Sequence, residues 1–242
     1  AGRSGVGAVM GSKNLKAVAI RGSLGVQVEN TDKFLAAVSS GKAVLAENPV
    51  TGQGLPTYGT QVLMNVINES GALPTRNHLD SQFAGANNIS AEAMSEPRAG
   101  DGKTNLLTTA ACFGCTIACG RISTVERGHY TVAERPQYQI ASGGLEYEAA
   151  WALGAATGVD DLDALTFANF ICNEQGFDPI SFGATVGAAM ELYESGVISD
   201  KETDGMAVKF GSALCRSRIS TMSSYTTARW LKGRSNMGPM TW

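Results

Sequence analysis

Apolar residues recur at helical spacing in several segments, and the pattern is sharpest between residues 159 and 196. Leu162, Leu165, Ala168 and Ile171 repeat every third position behind Asp160 or Asp161, either of which can cap a helix. Gly176 supplies a left-handed stop. Asp178-Pro179 restarts a helix at once, with an acid at the cap and proline at the first helical position. Val186, Ala189, Met190 and Tyr193 carry that helix to Gly196. Upstream, Thr31-Asp32 can cap a helix bearing Phe34, Leu35 and Val38, and another runs from about 60 to 70 through Val62, Leu63, Val66 and Ile67 to Gly71. Residues 48–59 and 71–104 are broken by Gly and Pro and read as loops. The second is long enough to imply a functional surface or a packed irregular segment. A strand is predicted at residues 15–20, closed by Arg21-Gly22. One strand is not stable alone, so residues 1–28 are expected to close a sheet whose other strands lie elsewhere. The predicted architecture is mainly α, a helical domain with a small N-terminal β remnant.

Composition narrows the class. With 242 residues, 43% of them hydrophobic and 17% charged, the chain can bury a core and is not a disordered tail. No apolar run reaches eighteen residues, which excludes a helical membrane span, and the first residues lack a secretory pattern. A net charge of −3 gives no general attraction to nucleic acid. That charge is unevenly spread: all 22 acids precede residue 211, whereas the last 32 residues carry Arg216, Arg218, Arg229, Lys232 and Arg234. Residues 211–242 also show no period, and are expected to be an atypical tail, truncated or out of frame.

Five cysteines, three of them within eight residues, suit a metal site in a reducing, cytoplasmic setting better than disulfides. The run Cys112-Phe-Gly-Cys115-Thr-Ile-Ala-Cys119 can bring three thiolates to one place from a turn leading into a helix. Soft thiolates suit an iron–sulfur cluster or zinc. A cluster needs a fourth ligand, for which Cys172 and Cys215 remain; zinc could take His129, giving a zinc-stabilised, non-catalytic binding module. The opening Gly2-Arg3-Ser-Gly5-Val-Gly7-Ala8 fits neither a dinucleotide fingerprint nor a phosphate loop, yet clustered glycines with Arg3 and Lys13 suit an anionic cofactor or an ordinary turn. Glu146 and Glu148 lie on different faces of a predicted helix start, so at most one enters a given pocket. A desolvated glutamate there could move a proton; equally, both could simply oppose a helix dipole. Asn173-Glu-Gln-Gly176-Phe177-Asp178 bridges two helices, and Asp178 is explained by capping or by contact with a ligand.

Taken in order, several motifs resemble the tungsten-containing aldehyde:ferredoxin oxidoreductase family. They are the opening from Gly2 through Lys16-Ala17, Leu55-Pro-Thr-Tyr-Gly59-Thr, Gly71-Ala-Leu-Pro74-Thr-Arg-Asn77, the cysteine run, Glu146-Tyr-Glu148, and Gly176-Phe-Asp-Pro-Ile-Ser181 leading to Tyr193. The similarity covers about residues 1–210. It implies oxidation of a small aldehyde to a carboxylic acid at tungsten, or molybdenum, held by two pterins, with a [4Fe-4S] cluster passing electrons to ferredoxin. Mg²⁺ bridging the pterin phosphates is a further ion the resemblance allows. Homo-oligomers are compatible with it; nucleic acid and membrane are not expected partners.

By resemblance, Cys112, Cys115 and Cys119 are three cluster ligands, and Arg3, Gly5, Gly7, Ala8, Asn173, Gly176, Phe177 and Asp178 belong to cofactor contacts. Asn173 departs from the acid usual at its position. One of Glu146 and Glu148, with Glu148 favoured, matches the proton acceptor. The implied layout is 1–28 as the end of a pterin-cradling β domain, 29–210 as the helical domain, and 211–242 as the tail. The chain is expected to be a fragment, inactive alone. The tungsten-type benzoyl-CoA reductase catalytic subunit shares the opening and the cysteine run and is the nearest rival.

Overall fold

The computed structural model describes residues 6–133, 140–176, 178–203 and 205–212. Eight α-helices lie in the described residues, in the order α1 (Val6–Ser12), α2 (Thr31–Glu47), α3 (Leu55–Tyr58), α4 (Leu63–Glu69), α5 (Ala91–Ser95), α6 (Tyr147–Leu153), α7 (Leu162–Gln175) and α8 (Pro179–Glu194). Three strands, β1 (Leu106–Ala110), β2 (Gly120–Thr124) and β3 (Ile140–Ser142), form one antiparallel sheet in the order β1-β2-β3. The fold is mainly helical, as the apolar spacing predicted.

The β structure is elsewhere than expected. Residues 15–20 form no strand; the stretch is exposed, with Val18 65% and Ile20 91% accessible. Alternation over six residues makes no strand without a neighbour to complete its hydrogen bonds. The described part of the glycine-rich opening, Val6–Ser12, is helical rather than an irregular turn. The actual sheet brackets the cysteine run and escaped prediction because its strands are short and rich in threonine and serine.

Local signals set the helix ends. Asp161, not Asp160, caps α7 by accepting from Ala164 N at 2.9 Å, and Gly176 closes it at φ +76°. Asp178 caps α8, accepting from Ser181 N at 3.1 Å and the Ser181 hydroxyl at 2.7 Å. Asn30, rather than Thr31 or Asp32, caps α2 through Lys33 N. The 48–59 loop is in part helical: a π-turn at Val50–Gly54 runs into α3. Between 71 and 104 the irregular reading holds apart from a 3₁₀ turn at Ala86–Ile89 and α5.

The core gathers around α7, whose residues from Asp163 to Cys172 are all buried. Met64, Leu73, Ile89, Leu145 and Phe167 fill it with essentially no exposure. Asp163 joins this helix to the segments flanking the sheet: its carboxylate accepts from Arg98 and Asn105, each at 3.0 Å, and from Glu126 N at 3.0 Å. Helices α6 and α8 pack backbone to backbone. A Cβ at Gly183 would meet Ala152 O at 2.3 Å, so only glycine allows that approach. By contrast α2 buries none of its residues, and Phe34 and Leu35 stand about half exposed.

Candidate metal-binding hairpin and acid pair

β1 pairs with β2 from Leu106↔Ser123 to Ala110↔Gly120, with a bulge between Leu106 and Thr108. Residues 111–119 form the hairpin loop, and all three clustered cysteines sit on it. The expected turn into a helix is therefore a turn between strands. Gly114 at φ +72° and Ala118 at φ +54° bend the loop. Cys115 N donates to Cys112 O at 3.0 Å, and Ile117 N donates to the Cys115 sulfur at 3.4 Å. Backbone amides of Ile117 and Ala118 hold the exposed Cys115 thiol below its ordinary pKa, because they stabilise the thiolate. Cys112 is also exposed and Cys119 partly so.

Among the described residues no three His, Cys, Asp or Glu side chains converge on the scale of a single metal ion. A four-iron cluster binds each thiolate to a different iron and needs a wider spread. The donor set fits such a cluster in chemistry: soft sulfur, accessible, and beside amide donors. Zinc with His129 fits less well. Both nitrogens of that imidazole are engaged, Nδ1 with the Thr131 hydroxyl at 2.8 Å and Nε2 with Asp161 at 3.2 Å. Cys172 is no better as a fourth ligand, since it is buried in α7 and burial pushes its thiol up to about 12. Cys215 lies outside the described residues.

Behind the loop stands a group that the spacing of residues did not reveal. Side chains two apart along a strand share a face, so Arg121 and Ser123 lie together on the buried face of β2, which Cys119 immediately precedes. Arg121 is 3% exposed. Its guanidinium donates to Gly120 O at 2.7 Å and to Leu55 O at 3.1 Å. Gly59 makes room for it at φ +61°; a Cβ there would lie 2.1 Å from the guanidinium. Burial lowers the Arg121 pKa, opposed by the negative charges of Glu146 and Cys119.

The acid pair divides as its spacing required. Glu146 occupies the cap position of α6 and is part-buried; the Thr60 hydroxyl donates to it at 2.5 Å and itself accepts from Tyr147 N at 3.0 Å. Burial raises the Glu146 pKa, against the lowering effects of Thr60 and Arg121. Glu148, in the first turn of α6, is exposed. Asn173 comes against the entry to this helix, where a Cβ at Gly143 would meet its amide nitrogen at 3.4 Å. Cys119, Arg121 and Glu146 thus share one region, and Asn173 lies against the Gly143 turn that leads into it. Gly7 is not drawn to any of these residues, and Ala8 lies within α1. Arg3, Gly5 and Phe177 lie outside the described residues. His78 is exposed with its ring edge-on to Trp151 at 6.2 Å.

The described residues thus form a helical domain that carries a thiol-bearing hairpin beside a buried arginine and an acid-capped helix. The family model described as aldehyde ferredoxin oxidoreductase, domains 2 & 3, matches residues 36–217. The chain belongs to the aldehyde ferredoxin oxidoreductase family. It is 44% identical over 202 residues to the tungsten-containing aldehyde ferredoxin oxidoreductases of Pyrococcus furiosus and Thermococcus kodakarensis, covering 84% of this chain. It is 27% identical over 216 residues to the aliphatic sulfonate oxidoreductase, WOR-like subunit, of Pyrococcus furiosus, covering 87% of this chain and 31% of that protein. The chain spans 30% of the length of the two tungsten-containing relatives.

Proposed function

We propose that this chain is the cluster-bearing, acid-supplying part of a tungsten enzyme that oxidises aldehydes to carboxylic acids and delivers electrons to ferredoxin. The observation that carries the reading is the placement of Cys112, Cys115 and Cys119 on one exposed hairpin loop, in a chain of this family. Tungsten in a bis-pterin site would supply the two-electron oxidation, and a [4Fe-4S] cluster the one-electron exit.

The protein's own groups have distinct tasks. The three thiolates would hold the cluster, and the amides around Cys115 favour its ligating form. Asn173, Gly176 and Asp178, at the junction of α7 and α8, would contact the pterin when it is bound. Asp178 already gives its carboxylate to the α8 cap, so its part there is to fix the turn. Glu148 is accessible and takes the proton released as the aldehyde, or its hydrate, is oxidised. Glu146, held by Thr60, fixes the start of the helix that presents Glu148.

The protein encoded by the complete reading frame, produced anaerobically with tungstate, tests this. Iron, labile sulfide and tungsten are expected together, with aldehyde-dependent reduction of ferredoxin. Cys115→Ala should lose the cluster's electron paramagnetic resonance signal, and Glu148→Gln should cut turnover about 10²–10⁴-fold with the metals retained. Absence of iron and tungsten, or turnover only with an aromatic thioester, overturns the reading.

A further inference from the structure

The buried arginine next to the cysteine loop has no task in the reaction as described. A guanidinium keeps its charge under almost all conditions, and placing one in a protein interior is costly unless hydrogen bonds and opposite charge compensate. Arg121 is compensated on two sides: its fork is held by the carbonyls of Gly120 and Leu55, and the Glu146 carboxylate lies within electrostatic reach. Space is reserved for it, since Gly59 adopts φ +61° where any side chain would strike the guanidinium. Gly144 packs on the same strand face, where a Cβ would lie 2.8 Å from Arg121 Cβ. Three separate segments, residues 55–60, β2 and the entry to α6, therefore meet at this side chain.

We propose that Arg121 is a positioning residue that fixes the electrostatic setting of the Cys119 side of the hairpin, with Glu146 as its counterweight. The inference rests on the reading of the hairpin as a cluster site. Two consequences follow from sign alone. A fixed positive charge beside a cluster favours its reduced form and raises its reduction potential; a nearby carboxylate does the opposite. Because Leu55 O and Gly120 O both bind the same guanidinium, the charge is held in one place, which a flexible lysine ammonium would not reproduce.

The test uses the complete holoenzyme and reads the midpoint potential of the cluster by redox titration with electron paramagnetic resonance, alongside iron and sulfide content. Arg121→Met should shift the potential negative, and Glu146→Gln should shift it positive, with the cluster content of each variant near that of the parent. Arg121→Lys should keep the sign of the charge and lie between Arg121→Met and the parent. Should Arg121→Met fail to assemble, Glu146→Gln and Arg121→Lys decide alone. Unshifted potentials in cluster-loaded variants, or shifts of one sign for Arg121→Met and Glu146→Gln, overturn this proposal and leave the cluster reading intact. A parent enzyme without any cluster overturns both.

Discussion

Cysteine is the residue type on which the chemistry turns, and its environments differ sharply within one chain. Cys112 and Cys115 are exposed on the hairpin loop, whereas Cys172 is 2% accessible and its thiol is pushed up to about 12 by burial. Alkylation requires the thiolate and access to it. In the native, metal-free chain at pH 8, iodoacetamide should modify Cys112 and Cys115 and spare Cys172 until denaturant is added. Peptide mass mapping reads this directly, and Cys172 labelling at the rate of the loop cysteines would contradict the described packing. Sequence showed which cysteines cluster; which are open was set by whether their segment became a hairpin or a core helix. Glutamate behaves alike. The spacing of Glu146 and Glu148 required opposite faces, but Thr60, eighty-six positions from Glu146, decided which acid turned inward.

Elements depend on caps and on close approaches, and the two were not equally legible. Asp161 both caps α7 and meets His129 and Tyr130. Burial raises its pKa, yet the His129 and Ala164 hydrogen bonds, the His129 charge and Tyr130 outweigh that, and the net shift is downward. A carboxylate depressed in the folded state stabilises the fold above its unfolded pKa, and that contribution fades as pH falls through the folded value. Asp161→Ala should therefore cost about 0.5–2 kcal/mol near neutrality, and the difference from the parent should shrink on acidification. Denaturant titrations between pH 3 and 7 check it. The α6–α8 contact offers a second measurement. Gly183→Ala places a methyl group on Ala152 O and should lower stability by about 1–3 kcal/mol, seen in the same titrations. Nothing in the α8 periodicity marked Gly183, because a glycine's role in a close approach belongs to its neighbour.

At the scale of the molecule, stability is unevenly distributed. Helix α7 is enclosed, while α2 spends seventeen residues without burying one. A helix that buries none of its side chains relies mainly on local propensity, which is marginal at such lengths. Hydrogen exchange of the chain should show α2 amides exchanging orders of magnitude faster than those of α7. Comparable protection in both would mean that α2 has packing that the fold does not show. The same contrast explains the prediction at Phe34, Leu35 and Val38, where spacing identified a helix and its apolar stripe without telling what would cover it.

What the sequence determined by itself was whatever is encoded within a few residues: the helical period, a cap at Asp160 or Asp161 and another at Asp178, the Gly176 stop, the thiol cluster and the rule that the two glutamates cannot share one pocket. These interactions are satisfied by neighbours along the chain, so a linear pattern carries them. Only the tertiary structure decided that residues 15–20 stay unpaired while Leu106–Ala110 and Gly120–Thr124 form strands, since a strand exists only through its partner's hydrogen bonds. It likewise decided that Arg121 is buried behind the cysteines. A charge can be held in an interior only by groups gathered from distant segments, and that gathering is the act of folding itself.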